Sequence, residues 1–325
     1  MTAVAPEAGT RSTDPGTRRP GAGTRRGRGG PRLRRAVAGW SFALPFTALF
    51  LVFLAGPVLA SLLMSFTDLR SADVRSPFAV NVVGLRNYAR LLDDELFVRA
   101  AVNTAIFVLL GVPLTMVAGL AAALGLNSGL TRLRTVFRVG YYLPVVTSIV
   151  AVAVVWRFLL QPDSGLVDNL LRLVGLDGPN WLGRTDLALP SLIVMAAWRN
   201  LGYQMVIFLA GLQAIPQHLY EAARIDGASG WQQFRYVTLP SLRPTLLFVG
   251  VIGTIGYLQF FEEPLVMTRG GPLNSTLSVS YHIYNQFGFG NYGYASAMSY
   301  VLFVAIVLLS ILWFRLLRSS EEVSR

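Results

Sequence analysis

Residues 215–244 read IPQHLYEAARIDGASGWQQFRYVTLPSLRP, the longest polar break in the second half of an otherwise apolar chain. The stretch reads as two short helices. Pro216 suits the first helical position, where no backbone N–H is needed. Gly227 suits the residue just past a helix end, where a left-handed backbone is cheap only without a Cβ. Ser229 and Gln232 have capping-box spacing, so a second helix is expected to start there. Pro240 and Pro244 punctuate the way into the next apolar run. Ala222 and Ala223 leave the first helix with a low surface that another protein could approach closely. Glu221 and Arg224 remain as polar handles.

Working outward, the 325 residues are 53% hydrophobic, with a mean hydropathy of +0.51. Only 14% are charged, against roughly 25% in soluble domains. This is a membrane composition. All 28 basic residues are Arg. A Walker A phosphate loop needs Lys, so the chain carries none, and any ATP-driven work belongs to another polypeptide. Cysteine is absent, which excludes disulfides and thiolate metal sites. His218 and His282 are the only histidines, too few for a histidine metal cluster, and no metal or other cofactor is expected on the chain. The net charge of +11 would suit nucleic acid, but its distribution argues for a membrane and against that partner.

Residues 1–35 are Gly, Pro, Thr and Arg with almost no large apolar side chain, and are expected to be disordered. The apolar run that follows, about 36–66, is too long for the core of a signal peptide. It reads as an uncleaved first span whose arginines hold the N-terminus in the cytoplasm. About 20 apolar residues cross a bilayer, which gives six spans: about 39–66, 100–126, 139–160, 187–209, 245–267 and 295–317. Eighteen arginines then fall on one side of the membrane, and eight, with most of the acidic residues, on the other. Both termini and the 215–244 stretch are therefore expected on the cytoplasmic side of a bacterial cell membrane. The expected segments are a tail (1–35), a first span with its outer loop (36–99), a core of five spans (100–317) and a short cytoplasmic end (318–325). Several spans contain Pro: Pro45, Pro57, Pro113, Pro144 and Pro190.

Glu221, Ala222 and Ala223, then Gly227, then Val237, Leu239 and Pro240 resemble the EAA motif of ATP-binding-cassette (ABC) importer permeases, with Val237 where Ile is usual. The fuller match, EAARIDGAS followed by LPSLRP, is similar to the carbohydrate-importer branch. Two flanking stretches resemble it too: GLRNYARLLDDELFVRAAVNT (84–104) and MTRGGPLNSTLSVSYHIYNQFGFGNYGYASA (267–297). The resemblance runs from about residue 84 to 317 and implies an all-α, type I permease fold of six membrane helices. It implies that Glu221, Ala222, Ala223, Asp226, Gly227, Leu239 and Pro240 couple to a separate ATPase, which holds ATP and Mg. It also implies a second, non-identical permease, two ATPase subunits and an extracytoplasmic solute-binding protein.

The fourth span carries Trp198, Arg199, Asn200, Gly202, Tyr203 and Gln204 near its middle. A mid-span Arg is costly and should face protein or a wet cavity. Glu262 and Glu263 in the fifth span are its obvious counter-charges, though a helical count places them nearer the membrane surface. A structural salt bridge and a substrate contact are both open. Tyr257, Gln259, Phe260 and Phe261 mix aromatic and polar groups, which suits the flat C–H faces and hydroxyls of a sugar. In maltose-type relatives substrate is held upstream of these motifs. Counting back gives Trp198, Gly202, Met205, Gly253, Tyr257 and Phe260, to which Arg199 and Glu262 are added. Asp93, Asp94 and Glu95 read as a solvated surface. The alternative function is an ion-coupled secondary transporter, for which Glu262 and Glu263 would be the coupling carboxylates; it leaves the EAA loop unexplained.

Overall fold

The computed structural model describes residues 30–75, 80–127 and 134–318. Most of the expected N-terminal tail, Arg132, and the end beyond residue 318 lie outside the described residues. Among those described, regular structure is helical apart from an isolated bridge between Thr67 and Val82. Two compact units divide at Pro57 and Val58. The first holds α1 (Gly30–Phe50), which begins inside the expected tail, and a π-helical turn, Leu51–Ala55. Then come α2 (Gly56–Met64), α3 (Arg86–Asp93), α4 (Glu95–Asn127), α5 (Arg134–Val146), α6 (Ile149–Leu159), α7 (Leu166–Leu173) and α8 (Ala188–Gln213). The chain continues through α9 (Gln217–Ile225), α10 (Gly230–Gln233), a π-helical turn (Phe234–Thr238), α11 (Leu239–Ser241), α12 (Arg243–Leu258), α13 (Glu262–Met267), α14 (Val279–Gly288) and α15 (Tyr292–Arg318).

Among the described residues, four helical stretches are long and apolar enough to cross a membrane: Trp40–Met64, Glu95–Asn127, Ala188–Gln213 and Tyr292–Leu316. Two bent helix pairs bring the number to six if each pair is one span. The expected third span is therefore not a straight rod. Helices α5 and α6 meet at 101°. Pro144 removes a helical hydrogen bond near the end of α5, and Ser148 is non-helical at ψ 128°. The expected fifth span is also interrupted. The chain bends by 66° just before it, where α11 meets α12, and the span itself stops being helical at Gln259–Phe261, where Phe261 has φ −144°.

The core of the second unit is α4 laid along α8, with α12 across both. Glycine permits the close approaches: a Cβ at Gly119 would lie 3.0 Å from the Cβ of Gln204. On the other side of α12, Gly250 leaves room for the ring of Trp313 on α15, whose indole N–H donates to Thr254 Oγ1 at 2.8 Å. At the end of the bundle away from α9, Asn103 donates to the carbonyls of Asn274 (2.8 Å) and Leu277 (3.0 Å). Beside it, Thr104 Oγ1 accepts from the backbone N–H of Val279. Two side chains of α4 thus hold the whole 268–279 loop.

Asp94 corrects the expectation of a solvated acidic run. It lies between α3 and α4 and caps α4, its Oδ1 accepting from the N–H groups of Leu96 and Phe97 at 3.0 and 3.2 Å. Its Oδ2 accepts from the Tyr294 hydroxyl at 2.6 Å and lies 3.8 Å from Nε2 of the buried His282. Burial pushes the Asp94 carboxyl up, but the Tyr294 bond, the Phe97 N–H, His282 and the Leu96 N–H together hold it below the usual carboxylate range. Burial likewise pushes His282 down, against the opposing pull of Asp94.

Candidate functional site

Two places gather the residues that the sequence singled out for function. The first is the loop between α8 and α12. Helix α9 ends on a Schellman motif: the N–H of Ala228 donates to the carbonyl of Ala223 at 2.9 Å, and that of Gly227 to Arg224 at 3.1 Å. Gly227 has φ +75°, the left-handed conformation the sequence called for. The capping box is complete, with Gln232 N–H on Ser229 Oγ and Ser229 N–H on Gln232 Oε1. Pro216 differs slightly from expectation: it is the N-cap, extended at ψ 132°, and not the first helical residue. A bond of 2.9 Å between the hydroxyls of Tyr220 and Thr238 ties α9 to the turn before α11. Helix α9 buries no side chain, and Ile225 (87%), Trp231 (71%) and Tyr236 (73%) stand exposed around it. Glu221, Ala222, Asp226 and Gly227 are exposed, and Ala223, Leu239 and Pro240 half-buried. The result is a hairpin with apolar side chains facing outward that nothing among the described residues covers.

The second is a cavity of about 350 Å³ along the seam of α8 and α12. Helix α8 contributes Ala196, Arg199, Asn200, Tyr203 and Ile207, a stripe spaced for one helix face. From α12 and the turn after it come Gly253, Tyr257 and Phe260. Phe107 of α4 stacks on Phe260 with ring centroids 3.8 Å apart and 6° between planes, forming one wall. Glu262 and Glu263 line the cavity because the chain stops being helical at Gln259–Phe261 and turns them inward. That turn removes the depth mismatch with Arg199, which assumed an unbroken helix. The structural ion pair considered for them is not formed: neither carboxylate comes within 4.0 Å of Arg199, whose Nη1 reaches only Asn200 Oδ1 at 3.4 Å. Arg199 Nε, Gln204 Oε1 and Glu263 Oε2 are all buried without a hydrogen-bond partner.

Of the eight residues read from sequence as a substrate path, Arg199, Gly253, Tyr257, Phe260 and Glu262 meet in this cavity. Trp198, Gly202 and Met205 do not. They share the neighbouring stripe of α8, about 100° away per residue. Gly202 lets α5 lie directly on α8, since a Cβ there would collide with the Tyr141 carbonyl oxygen. Met205 is fully buried in the core. Trp198 faces Trp156, ring centroids 5.7 Å apart, in a separate cavity in the elbow of α5 and α6. Sequence reading missed Phe107, which nothing but the fold brings to the site. Gln204 carried a signal, a polar amide in mid-span.

Residues 96–321 match the model of the family described as binding-protein-dependent transport system inner membrane component. The chain belongs to that family. The lactose transport system permease protein LacF of Rhizobium radiobacter is 38% identical, across 86% of this chain and 93% of its own. The trehalose/maltose transport system permease protein MalF of Thermococcus litoralis is 34% identical, across 90% and 97%. A solved bacterial ABC transporter involved in the import of the acidic polysaccharide alginate superposes with a TM-score of 0.74 at 26% identity, across 89% of this chain and 98% of that one. The chain is thus an inner-membrane permease of a binding-protein-dependent ABC importer, a transport subunit and not an enzyme. The ion-coupled alternative has no support in these likenesses, and the α8–α12 hairpin is the feature it left unexplained.

Proposed function

We propose that this permease conducts a sugar or oligosaccharide through the α8–α12 cavity and couples its opening to a separate ATPase through the α9–α10 hairpin. One observation carries the substrate reading. A donor, Arg199 Nε, and two acceptors, Gln204 Oε1 and Glu263 Oε2, are buried and unpartnered beside a stacked aromatic wall. Leaving such groups unmatched costs about 1–3 kcal/mol each. A polyol offers hydroxyls that donate and accept together, and C–H faces that lie on aromatic rings. The relatives named for lactose and for trehalose or maltose support the same class.

The coupling residues are Glu221, Ala222, Ala223, Asp226, Gly227, Leu239 and Pro240. ATP and Mg are held by the ATPase. Two such subunits, a second permease and an extracytoplasmic binding protein complete the transporter, with both termini of this chain in the cytoplasm. ATPase closure would draw the hairpins together and turn the cavity toward the binding protein. A permease of the alginate importer, solved with a pentasaccharide-bound periplasmic protein, is similar across 90% of this chain at 25% identity and supports that arrangement.

The test is uptake by the complete transporter in proteoliposomes, with a panel of mono- and disaccharides. Arg199→Met, Gln204→Leu and Glu263→Gln are each expected to lower uptake of the transported sugar by about ten- to a hundredfold, the worth of a hydrogen bond to a charged or buried group. Unchanged uptake in all three would refute the reading.

A further inference from the structure

Tyr257 stands between the cavity and the Gly111–Thr115 turn of helix α4. Its ring lies against Gly111, where even a methyl group would collide with Cε1 of the tyrosine. One turn along, Thr115 is fully buried and its Oγ1 pairs with the Tyr257 hydroxyl at 2.5 Å. Thr115 Oγ1 also donates to the carbonyl of Gly111 at 2.7 Å. A threonine hydroxyl has one proton to give, so in the pair with Tyr257 the tyrosine donates. Its O–H therefore points at α4 and away from the cavity. Phe107, 5.1 Å from the Tyr257 ring between centroids, closes the third side. The ring is held back by a missing Cβ and one acceptor, and its only open side is the cavity, with Gly253 and Gly256 beside it.

We infer that Gly111 and Thr115, neither of which touches the cavity, are positioning residues that set its width through Tyr257. The inference deepens the proposed function: if the cavity is the sugar path, this pair decides how large a sugar passes. A Cβ at position 111 displaces the ring toward the only open side. Removal of the acceptor at 115 leaves the tyrosine proton without its acceptor, and the ring turns to find one among the polar groups of the cavity, where the Asn200 side chain already hydrogen-bonds the hydroxyl. Both changes narrow the same space from behind.

The test reads the width without relying on any sugar. The chain has no cysteine of its own. Gly256→Cys places a thiol in the cavity, where its Cβ meets nothing within 4 Å, and Gly140→Cys places a control in the α5–α6 elbow, equally open. In the assembled transporter, reaction with methyl methanethiosulfonate is compared with the benzyl reagent. Gly111→Ala and Thr115→Val are expected to slow the benzyl reagent at position 256 by about tenfold while the methyl reagent changes by less than about twofold. Thr115→Ser restores the acceptor and should restore the rate. The control should not respond. Unaltered benzyl rates at 256, or equal slowing of both reagents at 256 and 140, would overturn the inference. Uptake of glucose, maltose and maltotriose is measured in parallel on the variants without added cysteine. A KM that rises with sugar length at unchanged maximal rate ties the width to transport. Altered labelling with no length dependence refutes the cavity as the sugar path and leaves the positioning role standing.

Discussion

The hairpin between α8 and α12 turns on one dihedral angle, and a graded series at Gly227 tests its role. The residue has φ +75°, and a Cβ there would meet no atom within 4 Å. Substitution therefore costs conformation only and creates no clash. A left-handed L-residue costs about 1–2 kcal/mol, with Asn the common exception. A β-branched residue sits at the upper end, because its χ1 is restricted as well. Helix α9 buries no side chain, so the membrane core does not feel the change. If the ATPase binds only the turned hairpin, the strain is charged to docking. About 1 kcal/mol for Gly227→Ala weakens docking about fivefold, and about 2 kcal/mol for Gly227→Val about thirtyfold, while Gly227→Asn stays close to native. The assay is titration of the ATPase subunit onto permease in nanodiscs, with permease yield as the folding control. Native affinity in Gly227→Val would show that the hairpin is a passive connector. Equal loss in Gly227→Asn and Gly227→Val would show that contact, and not backbone shape, is read at this position.

Ala223→Trp should insert normally and lose co-purifying ATPase, because a large ring would stand in the docking surface. Leu273, 78% exposed in the 268–279 loop, should label as Leu273→Cys in intact cells with an impermeant thiol reagent, while Ser229→Cys should label only after permeabilisation; the reverse would invert the topology. Burial holds His282 below its ordinary value of 6.5, so the unfolded state takes up a proton first on acidification. Its contribution is complete above about pH 6.5 and is lost as pH falls through the lower folded value. The melting temperature in detergent should fall from pH 7 to pH 5, and the fall should shrink in His282→Gln. Purified without partners, the permease should hydrolyse no ATP.

The features legible in the sequence are those set by near neighbours. The Schellman turn at Gly227 and the capping box at Ser229 depend on residues three to five apart, and both stand as read. Hydropathy measures length, and its six apolar segments equal the spans of the structure when each bent helix pair counts as one. It does not measure direction, so the 101° elbow at Thr147–Ser148 and the break at Gln259–Phe261 were invisible to it. The same blindness placed Glu262 at the wrong depth relative to Arg199. On α8, the counted-back residues followed the Trp198–Gly202–Met205 stripe, whereas the cavity takes the adjacent one. One residue of helical phase decides between them, and composition does not fix that phase. Phe107 stacks on Phe260, which lies 153 residues later in sequence, and could only be found in three dimensions.

The clamp made by Asn103 and Thr104 has a consequence for how the permease is made. Their partners, Asn274, Leu277 and Val279, lie 171 to 175 residues later in the chain. Synthesis proceeds from the N-terminus, so α4 enters the bilayer long before these partners leave the ribosome. Through that interval a carboxamide and a hydroxyl near the membrane surface lack their final partners. Unmatched polar groups there are unfavourable, and an assembly intermediate that ends after α12 keeps them exposed. A chain stalled at that stage is marked as unfinished by its own chemistry. Delivery of the 268–279 loop is the event that removes the mark.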